Sequence, residues 1–371
     1  MLKWHYIDFS TLTSKILRKE TIKMELEKLL AFHQLVLDNT EEEKLALARQ
    51  LGIDYSEYKK RIVGKEKEAE FIIIMKSLGV LKHLEAYDEG LSHITGEYTP
   101  DFKIEMNDGH KMLLEIKHTG KDTFTISQGN LQNRIGFADR QGLPLRFAVS
   151  LKGYWGLFTS ETLKENKGKL TLNDFIGEKS TSWLDREFAT CSYMFPQPIK
   201  IKSVYSTNHP KSIPIQFPPY GHLVSYELYC GNRRIFRVKG QNSPYLSHCI
   251  YLEALQNRAA NSHQDKQQQG EFTVITDYFD TEHHTIPEYE FLLAPISHTC
   301  KVHNSEVIPY DAQSAISDHS FNFCSVQLLR IILKQLVDLG MEIIAFRGAY
   351  GYRFKDYASN FWTISADSSE T

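Results

Sequence analysis

The sequence predicts an α/β fold with a mixed central sheet, and three observations support that prediction. Residues 99–118 alternate polar and apolar side chains about an Asn-Asp-Gly turn, the pattern of a β-hairpin. A mostly apolar helical stretch and a short strand precede the hairpin, and a helix and a buried strand follow it. Over residues 64–158 the elements therefore run helix, strand, hairpin, helix, strand, an order in which helices can cover the faces of one sheet.

The first helix of this core is predicted at residues 64–79, with the sequence GKEKEAEFIIIMKSLG. Its first half is acidic and its second half is almost wholly apolar, so we expect it to be buried on most sides. The helix should end at Gly79. Residues 81–87 then form the first strand, and residues 89–96 form a loop that leads into the hairpin.

The hairpin is predicted to place two carboxylates side by side. A three-residue loop, Asn107-Asp108-Gly109, closed by a left-handed glycine, sets a register in which Asp101 lies opposite Glu115. Directly opposed side chains have Cβ atoms roughly 4.5–5.5 Å apart, and like charges there repel. A divalent cation with oxygen ligands fits between them, and Lys117, on the same face, adds a second positive group. A two-residue loop would instead set Asp101 opposite Ile116, on the other face.

The rest of the core follows from helical and strand periodicity. A helix is predicted at residues 125–141, ended by Gly142-Leu143-Pro144, and LRFAVSL at 145–151 is a compact buried strand. Beyond residue 158 the pattern weakens, with a lysine-rich stretch at 161–179 and frequent prolines at 195–219. The remaining predictions are strands at 223–229, 234–238, 272–278, 291–294 and 341–346, a helix at 326–339 and an exposed loop at 257–270.

The chain has 371 residues, which is enough for two or three domains because single cores seldom exceed about 250–300 residues. We expect an N-terminal helical segment at 1–61, the α/β core at 62–160, a linker or peripheral segment at 161–219 and an α+β domain at 220–371. Helix starts are predicted at Ser10 or Thr11 and at Thr40. A cytoplasmic location is expected, since no apolar run approaches the roughly 20 residues of a membrane span and no signal peptide is recognisable.

Pro100-Asp101 followed by Glu115-Ile116-Lys117 resembles the motif of the PD-(D/E)xK, or restriction-endonuclease-like, nuclease superfamily. The resemblance covers residues 64–158 and implies an αβββαβ core. It also implies that Asp101, Glu115 and the carbonyl of Ile116 bind Mg²⁺ or Mn²⁺. In the same family, a lysine at the position of Lys117 orients or activates the attacking water.

The resemblance implies two further contributions from the helices. An acidic residue of the first helix usually joins the metal site. Glu68 is the first candidate for this role, and Glu66 and Glu70 are the alternatives. All three are equally explained as solvated acids that the helix dipole favours. The second helix often supplies a polar residue near the scissile phosphate. Gln132 is the candidate, although an exposed helix face explains it as well.

Cationic residues cluster in sequence around the motif and are candidates for contact with nucleic acid. The net charge of -3 argues against a general polyanion-binding protein but not against a nuclease, because phosphate affinity depends on local clusters. Arg134 in particular is also explained as a residue on a solvated helix face. The candidates are Lys121, Arg134, Arg146 and Lys152.

The function that the resemblance implies is metal-dependent hydrolysis of phosphodiester bonds in DNA, in restriction, phage defence or mobile-element processing. A junction-resolving or transposon-end-cutting nuclease would share this core, and a non-cutting DNA-binding or scaffold subunit is an alternative of another class. RNA stays open as a substrate. A homodimer and a partner protein such as an ATPase or a transposition subunit are further expectations.

The second half of the chain resembles no family that we can name. Its basic residues lie among aromatics, as in Arg233, Arg234, Arg237 and Lys239, a pattern found in nucleic-acid-binding surfaces and equally in tyrosine-rich domains with ordinary surface arginines. The five cysteines are widely spaced, which favours reduced thiols over a disulfide framework.

Overall fold

A computed structural model of the chain describes residues 28–29, 31–33, 35–36, 39–87, 98–176, 180–208, 216–217, 220–240, 243–252, 254–255, 262–280, 285–297, 300–303, 306–309, 312–317, 325–347 and 350–353. The predicted helix start at Ser10 or Thr11 and the predicted loop at 89–96 lie outside these residues. Within them, no helix is both long and apolar enough to span a membrane.

The fold is mixed α/β. The helices are α1 (Glu41–Gln50), α2 (Tyr55–Leu78), α3 (Gln128–Gln141), α4 (Ser160–Glu165), α5 (Leu172–Phe175), α6 (Leu184–Glu187), α7 (Leu246–Leu252), α8 (Glu288–Ser297), α9 (Ala312–Ser317) and α10 (Val326–Asp338). The strands of the first half are β1 (Leu81–Ala86), β2 (Phe102–Met106), β3 (Lys111–Thr119), β4 (Thr123–Thr125), β5 (Leu145–Leu151), β6 (Tyr154–Thr159) and β7 (Lys169–Thr171). Those of the second half are β8 (Ser192–Met194), β9 (Ile199–Ser206), β10 (Gln216–Phe217), β11 (Gly221–Cys230), β12 (Arg233–Val238), β13 (His263–Gln269), β14 (Phe272–Phe279), β15 (Ile286–Pro287), β16 (Cys300–His303), β17 (Glu306–Pro309), β18 (Ile344–Arg347) and β19 (Tyr350–Arg353).

The central sheet has five strands in the order β1-β2-β3-β5-β6. β3 and β5 are parallel and the other pairs are antiparallel, so the predicted mixed sheet is confirmed. The hairpin has the predicted register, with Phe102 facing Leu114 and Glu105 facing Lys111. Gly109 closes its loop at φ 85°, a conformation that glycine adopts without steric cost.

Helix α2 is longer than predicted, because it begins at Tyr55 and not at Gly64. The carboxylate of Asp54 caps it by accepting the backbone N–H groups of Ser56 and Glu57. Gly79 ends it in the left-handed conformation, as predicted. The expected boundary between residues 61 and 62 therefore falls inside a continuous helix.

The two faces of the central sheet belong to different cores. Ile104, Leu114 and Ile116 point to one face and pack against the apolar half of α2. Leu113 and Phe147 point to the other face and pack against α3. The alternation predicted for the hairpin thus sorts its side chains between two layers of helices.

The stretch after β6, expected as a linker or a peripheral segment, packs against the core. β7 pairs with β4, and the side chains of Leu163 and Leu170 are fully buried in the core that contains α3. The lysine-rich composition that favoured a linker belongs to the solvent side of this covering layer. The core formed with α2 also extends into the second half, where it includes Tyr289 and Leu329.

The second half is organised by a six-stranded sheet with the path β10-β11-β9-β14-β13, in which β12 pairs with β11. Three predictions for this half need correction. β9 is a central strand inside the proline-rich stretch, β13 is an exposed edge strand where a loop was expected, and residues 291–294 lie in helix α8 and not in a strand. The strands predicted at 223–229, 234–238 and 272–278 are confirmed.

The N-terminal helix start at Thr40 is confirmed. Its hydroxyl accepts the N–H of Glu43, whose carboxylate accepts the N–H of Thr40 in return. Among the described cysteines, Cys191, Cys230 and Cys249 are buried thiols.

Candidate functional site

The candidate site lies where β2 and β3 separate. β2 pairs with β3 as far as Phe102 and Leu114, and from Glu115 onward β3 pairs, within the described residues, with β5 alone. Asp101 stands immediately before β2, and its Oδ2 accepts the backbone N–H of Ile116 at 2.6 Å. A side chain thus takes the place of a strand partner and fixes the Asp101 carboxylate beside Glu115.

Glu115 is the centre of the cluster. Its side chain is fully buried, with 0% exposure, and Oε1 lies 2.6 Å from the Nζ of Lys117. The guanidinium of Arg134, on α3, donates to the same oxygen from Nε at 3.0 Å and Nη2 at 2.9 Å. The hydroxyl of Tyr98 donates to the other oxygen, Oε2. A buried carboxylate is stable only with such partners, and Glu115 has three.

Lys117 joins the two carboxylates. Its Nζ lies 3.5 Å from Oδ2 of Asp101 as well as beside Glu115, and a third of its side chain is exposed. Burial works against its positive charge, but the charges of Glu115 and Asp101 outweigh that effect and raise its pKa. Lys117 is therefore an ammonium group that reaches from a buried carboxylate toward solvent.

The Asp101 carboxyl has a pKa raised to about 7. Burial is the largest cause, and the charges of Glu115 and Glu68 add to it, while Lys117 and the Ile116 N–H act in the opposite direction. Its Oδ1 has no hydrogen-bond partner within the described part of the chain. The site therefore has one carboxylate oxygen without a hydrogen-bond partner among the described residues, close to the negative charges of Glu115 and Glu68.

The three acids of α2 have different surroundings. Glu68 is close enough to raise the pKa of Asp101, and it pairs with Lys65 at 2.9 Å. Glu70 accepts the indole N–H of Trp155 at 2.7 Å, and Glu66 accepts the backbone N–H of Ala312 at 3.0 Å. Glu68, the first choice among the three, is the acid of α2 whose charge raises the pKa of Asp101.

Two residues of the cluster were not assigned to it from sequence. Tyr98 was not a candidate, and Arg134 was expected on a surface that contacts nucleic acid. The guanidinium carbon of Arg134 lies 3.9 Å from the centre of the Tyr98 ring, so the two side chains hold Glu115 together. Arg134 also donates to the backbone carbonyl of Asn130, one helical turn earlier, at 3.2 Å.

Three other candidates have exposed side chains. Gln132 is on the exposed face of α3, and Lys121 is exposed just beyond β3. Lys152 lies in the turn between β5 and β6 and pairs with Asp122 at 2.5 Å. These positions leave the first two side chains in solvent and the third on an exposed turn.

The expected position of Arg146 needs correction. Arg146 faces Leu114 across the parallel pair, so it points to the α2 side of the sheet, whereas Glu115 and Lys117 point to the other. There its guanidinium binds Glu187, with Nη2 2.7 Å from Oε1. The period of two along a strand fixes this sidedness.

The donor set suits a hard divalent cation. Asp101, Glu115 and the Ile116 carbonyl would supply oxygen ligands, and Mg²⁺ commonly binds one or two carboxylates while keeping several waters. The open Oδ1 of Asp101 and its raised pKa fit such an ion. Among the described residues, no group of three or more histidine, cysteine, aspartate or glutamate side chains is placed to hold a metal. An ion would therefore rest on two carboxylates, and would share Glu115 with Arg134.

No protein-family model and no curated protein matches the chain. Among solved structures, the chain is similar to Hjc, a Holliday junction resolvase from the archaeal hyperthermophile Archaeoglobus fulgidus. The likeness has 16% sequence identity and a TM-score of 0.26, and it covers 30% of this chain and 91% of the resolvase chain. At that TM-score the likeness carries no functional weight, and we infer function from the residues of the site.

Proposed function

We propose that this protein is a divalent-metal-dependent endonuclease that hydrolyses phosphodiester bonds in DNA. The observation that carries the proposal is the convergence of Asp101, Glu115 and Lys117 at the separation of β2 and β3. The three residues match the PD-(D/E)xK motif in kind and spacing. Their surroundings supply what the chemistry needs, which is two carboxylates, an open oxygen and a cation at the edge of solvent.

Each residue has a defined part in this proposal. Asp101 and Glu115, with the Ile116 carbonyl, would hold Mg²⁺ or Mn²⁺. The bound ion would polarise the phosphoryl group and make a bound water more acidic. Lys117, kept protonated by its raised pKa, would donate a hydrogen bond that orients the attacking water or a phosphoryl oxygen. Glu68 would adjust the charge around Asp101.

The direct test is cleavage of supercoiled plasmid, linear DNA and RNA by the purified chain, with and without Mg²⁺ or Mn²⁺. We expect cleavage of DNA only with a divalent ion, and a loss of at least about 100-fold for Lys117→Ala, Asp101→Asn or Glu115→Gln. The matched control is Lys111→Ala, because Lys111 is on the same strand but pairs with Glu105 on the surface at 3.2 Å. Lys111→Ala should cleave as the wild type does.

Cleavage that persists in Lys117→Ala and Asp101→Asn would assign the activity to another site or to a contaminant. Cleavage of RNA but not of DNA would support the proposed catalytic site and contradict DNA as its substrate. A branched junction and a transposon end belong in the same panel, since the site chemistry is common to nucleases of both kinds.

A second candidate is a nuclease-like subunit that binds DNA without cutting it. The observation that favours it is that both carboxylate oxygens of Glu115 already have partners, namely Lys117, Arg134 and Tyr98. In that case the purified chain would bind plasmid DNA but would not nick it at any Mg²⁺ or Mn²⁺ concentration. Binding of Mn²⁺, measured by electron paramagnetic resonance, would also be absent.

A further inference from the structure

The six-stranded sheet of the second half has one apolar face and one polar face. Alternate residues of β9 and β11, such as Ile201 and Leu228, enter the shared core. Their neighbours Lys200 and Tyr229 point to the other side and are partly exposed. We call this second side the outer face of the sheet.

The strand registers align one row of side chains across the outer face. Tyr229 faces Arg234 on β12 and Lys200 on β9, Lys200 faces Tyr278 on β14, and Tyr278 faces His263 on β13. The row therefore alternates cation, aromatic ring, cation and aromatic ring, and ends in an imidazole. Five strands spaced about 4.8 Å apart give it a length of about 19 Å.

The rings of this row are already arranged for stacking. His263 and Tyr278 lie parallel, with ring centres 4.3 Å apart and planes 7° apart. The ammonium of Lys200 lies 4.0 Å from the centre of the Tyr229 ring. These contacts cover one face of each tyrosine ring and fix its orientation, and the side chains of Tyr229 and Tyr278 are partly exposed next to positive charge.

A neighbouring row holds the first one in place. The Tyr229 hydroxyl donates to Glu227 at 2.5 Å, and Arg237 donates to the same carboxylate at 2.9 Å. Lys202 faces Glu227 from β9. Glu227 is largely buried between these groups. Its carboxylate therefore holds the neighbouring cations and the Tyr229 ring in position, and these cations offset its repulsion of an anionic ligand.

We propose that the outer face, through the row Arg234, Tyr229, Lys200, Tyr278 and His263, binds single-stranded nucleic acid. Open sheets that bind single strands stack two or three bases on exposed rings, and each stacked base contributes roughly 1–3 kcal/mol. The cations of the row match the phosphates between the bases. A duplex offers no base faces to these rings, and an acidic peptide would use only the charges. The inference rests on the proposed function in that the bound strand would be a single-stranded segment of the DNA that the candidate site cuts.

The test is binding of a fluorescein-labelled 12-nucleotide oligothymidylate to the full chain, followed by fluorescence anisotropy in EDTA. EDTA removes the divalent ion, so the result does not depend on cleavage. We expect Tyr229→Leu and Tyr278→Leu each to weaken binding about tenfold, and Tyr229→Phe and Tyr278→Phe to stay within about threefold of the wild type. Tyr55→Leu is the matched control, since Tyr55 belongs to α2. Its affinity should not change.

Circular dichroism identifies any leucine variant that fails to fold. Lys200→Gln and His263→Ala, which alter surface side chains, then test the same row. Lys200→Gln should weaken binding and lower the slope of log affinity against log salt by about one. Wild-type affinity in all these variants would overturn the inference. So would tighter binding of a 12-base-pair duplex, or competition by polyphosphate equal to that by the oligonucleotide at the same phosphate concentration.

The two proposals can fail separately. A chain that binds oligothymidylate through this row but never cuts DNA with Mg²⁺ or Mn²⁺ would refute the nuclease and leave the binding face. A chain that cuts DNA but binds the oligonucleotide equally well in the leucine variants would refute the binding face and leave the nuclease.

Discussion

Charge balance at single residues decides what the candidate site can do. Asp101, immediately before β2, and Glu115, on β3, are two neighbouring acids, and Lys117 and Arg134 are the two cations that offset them. Glu115 has no solvent contact, so its partners must come from the protein or from a bound ion. Asp101 is the less satisfied of the two, and its behaviour should depend most on pH.

The stability that Asp101→Asn adds relative to the wild type should increase as the pH rises. The folded state raises the pKa of Asp101 from 3.8 to about 7, so the folded state binds this proton more tightly than the unfolded state does. Wild-type stability is therefore lost as the pH rises from about 4 to about 7, and asparagine avoids that loss. In EDTA, urea unfolding of the variant should gain about 1–4 kcal/mol relative to the wild type over this range and stay level above it.

Asp108→Asn, in the exposed hairpin loop, is the control and should show no such gain. A difference between Asp101→Asn and the wild type that does not vary with pH would contradict the prediction.

Arg134→Ala should destabilise the fold by about 3 kcal/mol, because it leaves a buried carboxylate with fewer partners. Urea unfolding in EDTA measures this loss, and Arg140→Ala, on the exposed face of the same helix, should cost about 0.5 kcal/mol or less. The double variant Arg134→Ala/Glu115→Gln should recover part of the stability. Equal losses in the single and double variants would show that Arg134 does not act through Glu115.

At the scale of elements, the hairpin β2-β3 controls the site. Its turn sets the register that brings Asp101 beside Glu115, and Gly109 supplies the left-handed residue of that turn. β3 then continues beyond the pairing with β2, which exposes the Ile116 N–H to Asp101. Turn chemistry is local, and for this reason the register could be predicted from the sequence.

Gly109→Ala should cost about 1 kcal/mol and leave the site intact. An added Cβ meets no atom within 4 Å there, so only the strain of φ 85° opposes it. Gly168→Ala is the matched comparison, since its φ is 77° but an added Cβ would lie 2.2 Å from the Ile126 carbonyl oxygen. Urea unfolding should therefore give a clearly larger loss for Gly168→Ala. Equal losses would mean that the backbone around Gly168 relaxes freely.

At the scale of the whole molecule, the central sheet shares its α2-side core with the second half of the chain. The hydroxyl of Tyr289 accepts the backbone N–H of Trp155 at 2.9 Å, and the N–H of Ala312 reaches Glu66 on α2. Apolar residues of α10 belong to the same cluster as those of α2. The predicted domains would therefore not be independent in stability.

The full chain should unfold in one cooperative transition, with coincident curves from far-ultraviolet circular dichroism and tryptophan fluorescence. A fragment that ends at residue 160 should aggregate or stay unfolded, because it exposes the apolar side of α2 and of the sheet. Two separate transitions, or a folded fragment, would contradict this prediction and support a domain boundary near residue 160.

The sequence by itself determined the features that depend on neighbours along the chain. The order of helices and strands over residues 64–158, the register of the hairpin and the convergence of Asp101, Glu115 and Lys117 follow from periodicity and turn length, which act over a few residues. Only the tertiary structure decided that Arg134 and Tyr98 hold Glu115, that Arg146 points to the opposite face, and that β9 is a central strand. Those features depend on which strands pair and on how a helix sits over the sheet, contacts between distant segments that no local pattern encodes.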